Sequence, residues 1–187
     1  MALTQQQLTV LKTAINADPA LASQPMTSDG AFSIAVALNQ LASPEIKVWR
    51  TEVPVQSISD AINWSQYTPV DSPDGTATYT NRILSVQTKQ MNLQLMLQGR
   101  DTVDASKANV RAGLRDAVIQ VPAGAGGVSV APGGASGVNV LTACIRDAKR
   151  IEVILATGDA TTGTVTAKVM AYEGDVSYQD VEAARNS

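Results

Sequence analysis

Histidine is absent from the 187 residues, and cysteine occurs once, as Cys144. The first absence removes the commonest general base and the commonest metal ligand, and the second removes any internal disulfide. Aromatic residues amount to 4%, with one phenylalanine, so the 44% of residues that are hydrophobic must build a core from Leu, Ile, Val and many Ala. Such a core buries less area per residue than one of Leu and Phe, and it often leans on neighbouring subunits. No apolar run approaches the roughly 20 residues that span a bilayer, and the N-terminus lacks a charged region followed by an apolar one. The expectation is a protein that folds in a cytoplasm, with no membrane partner. The net charge is -3 and the 14 Lys and Arg are scattered, which argues against a basic stripe for nucleic acid.

What is present reads mostly as helix. Thr4 and Gln7 have capping-box spacing ahead of Leu8, Leu11 and Ile15, and Asp18-Pro19 ends that helix and starts a short turn. A third helix is expected from near Asp29 to about Leu41, and a fourth after Pro54 carries Val55, Ile58 and Ile62. Ile46, Val48 and Trp49 form a short apolar segment in which Trp49 is expected to be buried. Ser65 to Thr80, around Pro69, Pro73 and Asp74-Gly75, reads as a loop or small hairpin. Asn81 to Gln98 is ambiguous: Met91, Leu93, Leu95 and Leu97 alternate as in a strand, yet Gln, Lys, Leu and Met favour helix and nothing interrupts the run. Helix is preferred, with a strand as the alternative.

Asp104 is expected to cap a helix carrying Val110, Leu114, Ala117 and Val118, which Pro122 stops. Pro122 to Gly137 is rich in glycine and reads as a projecting loop or hairpin, mobile or ordered by a partner. Val138 to Ala156 is expected as a helix with Leu141, Ile145, Ala148, Ile151 and Leu155 on one face. The best strand follows from Gly163 to Gly174, and Ser177 with Asp180 caps a short final helix. The expected fold class is therefore mainly α with a small β component. It is a helical bundle in a single domain, 1–187, with a projecting Gly-rich loop or hairpin at 122–137, a C-terminal strand and short helix, and a tail over 175–187.

Chemical motifs are weak. Gly124, Gly126 and Gly127 suggest a phosphate-binding turn, but the third glycine of the dinucleotide fingerprint would fall at Ser129. Asp71 with Asp74, and Asp101 with Asp104, sit where turns and caps use carboxylates. Cys144 has no base beside it and reads as a buried structural thiol. No catalytic, cofactor-binding or metal residue is nominated, no cofactor is expected, and the chain is read as not an enzyme.

Leu3-Thr4, Gln7-Leu8, Leu11-Lys12, Asp18-Pro19-Ala20, Asp29-Gly30-Ala31-Phe32, Ser43-Pro44 and Val48-Trp49-Arg50-Thr51 resemble a family of small tailed-bacteriophage proteins. The likeness resumes at Asn109-Val110-Arg111, Arg150-Ile151-Glu152, Ala156-Thr157-Gly158, Glu173-Gly174 and Val181-Glu182-Ala183-Ala184-Arg185-Asn186, covering about half the chain, mainly its two ends. The resemblance implies a structural virion protein made in the bacterial host cytoplasm, a head-tail adaptor of the neck. It would form a homo-oligomeric ring, commonly a dodecamer, between the portal protein and tail or neck proteins, with DNA passing through unread. By that analogy Gly124, Val128, Val130, Gly134, Tyr178, Glu182 and Arg185 are the candidate interface residues. The alternative is a small-molecule or regulatory binding module.

Overall fold

Thr4 opens helix α1 (Gln5–Ala17) with a reciprocal cap: its hydroxyl accepts the Gln7 N–H, and the Gln7 side-chain carbonyl accepts the Thr4 N–H at 2.9 Å. Asp18 ends α1 and caps α2 (Pro19–Ala22), where Pro19 occupies a first-turn position that needs no donor. Helix α3 (Ser28–Leu38) starts from Thr27 and buries Ala31, Ile34, Ala35 and Leu38 on one face. The computed structural model describes residues 3–62, 64, 77–118 and 140–187. After α3 come β1 (Lys47–Trp49), β2 (Val53–Pro54), α4 (Val55–Ala61), α5 (Ala77–Leu97), β3 (Thr102–Val103) and α6 (Ala108–Val118). The chain continues through β4 (Ile145–Asp147), α7 (Arg150–Ile154), β5 (Ala156–Thr162), β6 (Val165–Met170) and α8 (Tyr178–Asn186).

A four-stranded sheet in the order β4-β1-β6-β5 overturns the mainly α bundle with a small β component. The sheet is mixed. β1 runs parallel to β6 with Val48 opposite Lys168, whereas β5 returns into β6 through a two-residue turn at Gly163, whose φ of 59° suits glycine. β6 falls within the strand read over Gly163 to Gly174, whereas β1, β4 and β5 escaped the sequence reading for physical reasons. β1 and β4 have 3 residues each, and β5 has the sequence ATGDATT, with no apolar alternation to announce a buried side.

Val138 to Ala156 is not one helix. Helical geometry holds over 140–143 and in α7, with β4 between them. The apolar spacing is genuine, and Leu141, Ala148 and Ile151 are buried, but the backbone is claimed by residues 40–50. Arg50 N–H donates to Cys144 O at 2.9 Å, Ala148 N–H to Ile46 O at 2.8 Å, Ala42 N–H to Ala148 O at 2.9 Å, and Arg150 N–H to Gln40 O at 2.8 Å. Those long-range bonds satisfy groups that a continuous helix would have paired internally. Asp104 likewise is no helix cap: its carboxylate accepts the Ser106 N–H at 3.0 Å and builds a turn ahead of α6. Helix α5 begins at Ala77, inside the stretch read as loop. The rest of that stretch, and the whole Pro122 to Gly137 projection, lie outside the described residues.

The chain divides into two compact units, Met1–Val48 with Asp147–Asp159 and Ala167–Ser187, and Trp49–Arg146 with Ala160–Thr166. In the first, α8 packs on α3 and α1, and Val181 and Ala184 are fully buried beside Leu11, Ile15, Ile34 and Leu38. The final helix is thus part of a core, although the family analogy places three candidate interface residues on it. In the second, Trp49, Val53, Ile58, Leu114 and Cys144 are fully buried, Trp49 as its apolar neighbours suggest.

Two predictions follow from the first unit. A chain ending at Gly174 loses Val176, Val181 and Ala184 from the core, so urea titration should show a loss on the order of 3 kcal/mol or more; an unchanged midpoint would return α8 to the surface. Gly30 packs so tightly that a Cβ there would lie 2.1 Å from the Pro25 carbonyl oxygen. Gly30→Ala should therefore cost about 1 to 3 kcal/mol, as overpacking does, measured by the same titration.

Candidate interaction surface

Tyr178, Glu182 and Arg185 all lie on α8, and the structure uses two of them internally. The Ser28 hydroxyl donates to Glu182 Oε1 at 2.6 Å, while Arg185 donates to Pro25 O at 2.8 Å and Gln24 O at 2.7 Å. Glu182 therefore holds the first residue of α3, and Arg185 braces the loop that leads into it. Tyr178 is exposed. Gly124, Val128, Val130 and Gly134 lie outside the described residues.

The charged groups form local structural pairs. Lys47 reaches Asp147 at 2.6 Å and also contacts Glu45, and these two carboxylates raise its pKa. Lys149 meets Asp175 at 2.6 Å, Lys168 meets Asp159 at 3.1 Å, and Arg150 pairs with Asp18, whose carboxyl it holds below its ordinary value. Asp104 receives Lys107 at 3.3 Å while holding its turn. Among the described residues no group of three or more carboxylates or thiols gathers where a metal could be held. Asp71 and Asp74 are outside those residues.

Helix α5 presents the surface that sequence reading did not nominate. Helix residues two positions apart point about 200° away from each other, so the alternation of Met91, Leu93, Leu95 and Leu97 becomes two apolar lines on nearly opposite sides. Leu93 is buried to 4% exposure, in a helix that packs on α6 through Met96 and Lys89. That packing is close: a Cβ on Gly113 of α6 would lie 2.9 Å from the Met96 methyl, and Lys89 Nζ donates to Asp116 O at 2.6 Å. Burial pulls the Lys89 pKa down, against the weaker attraction of Asp116.

The opposite line is open. Met91 is 61% and Leu95 68% exposed, four residues apart and therefore stacked along one face. Beside the Leu93 line, Trp64, Gln90, Leu93, Gln94 and Leu97 line a groove of about 270 Å³. Trp64 is fixed there by its indole N–H, which donates to Ser59 O at 3.0 Å. The only signal of this surface in the sequence was the unresolved conflict between a period of two and residues that favour helix.

The first unit carries a second exposed pair with the same spacing, Phe32 at 60% and Val36 at 45% on α3. No protein-family model, curated protein or solved structure matches the chain.

Cys144 is buried, and that burial pushes its thiol up from 9.0 to about 11, against the opposing pull of Arg50 and Arg111. Between those two values the unfolded chain releases the proton and the native chain keeps it, so stability falls as pH rises. The loss assigned to this group between pH 9.0 and about 11 is on the order of 2 to 3 kcal/mol. Urea titrations of the parent chain and Cys144→Ala across that range should show the parent declining more steeply; parallel declines would mean the thiol is accessible to water.

Proposed function

We propose that this chain is a structural virion protein of tailed bacteriophages, a head-tail adaptor that forms a ring of identical copies between portal and tail. The observation that carries this reading is the pair of exposed apolar strips, Phe32 with Val36 on one unit and Met91 with Leu95 on the other. Each places large side chains in water at helix-contact spacing, which is how surfaces meant for partner proteins are marked. The family likeness at the two ends of the sequence supports the same role. So does the charge pattern: scattered, locally paired cations suit a ring that lets DNA pass without reading it.

The test is localisation in particles. Antibody labelling of tailed particles from a lysate that expresses the chain should mark the head-tail junction, and particles lacking the chain should accumulate as DNA-filled heads without tails. Absence of the chain from purified particles, or label spread over the capsid surface, would overturn the adaptor role.

A further inference from the structure

We draw no further inference here: the strongest candidate, the exposed Met91 and Leu95 face of helix α5 with the adjoining groove walled by Trp64, Leu93 and Leu97, carries nothing because no observation in the structure shows what covers it.

Discussion

A buried cation that has no carboxylate in hydrogen-bond contact among the described residues organises the second unit. Arg111 is 3% exposed, and its guanidinium lies 4.7 Å from the centre of the Trp49 ring. Nη1 donates to Ala105 O at 2.8 Å and Ser106 O at 2.6 Å, and Nε donates to Thr162 Oγ1 at 3.0 Å. Burial lowers the Arg111 pKa, yet arginine starts so high that it stays charged, and the cost of leaving water is offset by carbonyls and the ring face. Four segments depend on this one group: the end of β1, the turn before α6, α6 itself and the end of β5. Trp49 closes the circuit by donating its indole N–H to Ala160 O at 3.0 Å, and Asp104, which shapes the turn, supplies the nearby negative charge. In a chain with 4% aromatic residues, one tryptophan serves at once as core volume and as counterpart to the charge.

The first unit rests on a buried carboxylate in a comparable way. Glu152 is fully buried; it accepts the Lys149 N–H at 2.8 Å, capping α7, and the Gly174 N–H at 3.1 Å, fixing the turn before α8. Backbone donors here take the place of water around an anion, as backbone acceptors do around Arg111. In both units a charged side chain ties segments far apart in sequence, and that is what a core short of large apolar groups lacks means to do by volume alone.

This division explains which parts of the fold could be read from residues. Helix starts at Thr4, Asp18 and Ser177 were legible because the capping partner lies two or three residues away, as does the proline that follows Asp18. Of the sheet, β6 was legible from its alternation, but β1 and β4 were not, because they are too short for a pattern and the pairing that makes them strands comes from residues about a hundred positions apart, as between Ile46 and Ala148. The helical spacing of Leu141 through Leu155 was correct about burial and misleading about conformation. Sidedness at intervals of three and four shows which residues face inward, but not whether the backbone between them has a better partner elsewhere. For the interaction surface, Glu182 and Arg185 entered by the family analogy, and their hydrogen-bonding groups serve to hold Ser28 and the loop before it.

The α5 pattern carries the opposite lesson, since its ambiguity was itself the information. A period of two in residues that favour helix describes neither a half-buried strand nor a one-sided amphipathic helix. It describes a helix with two apolar lines, of which the one that carries Leu93 is buried there and the one that carries Met91 and Leu95 is exposed. The same sequence that places few large aromatic residues in the core leaves Trp64, Met91 and Leu95 exposed. Scarcity of apolar bulk inside combined with its presence outside is a costly arrangement for a chain that works alone. Such exposed apolar bulk at helix-contact spacing is the surface that the proposed virion role would bury against a partner.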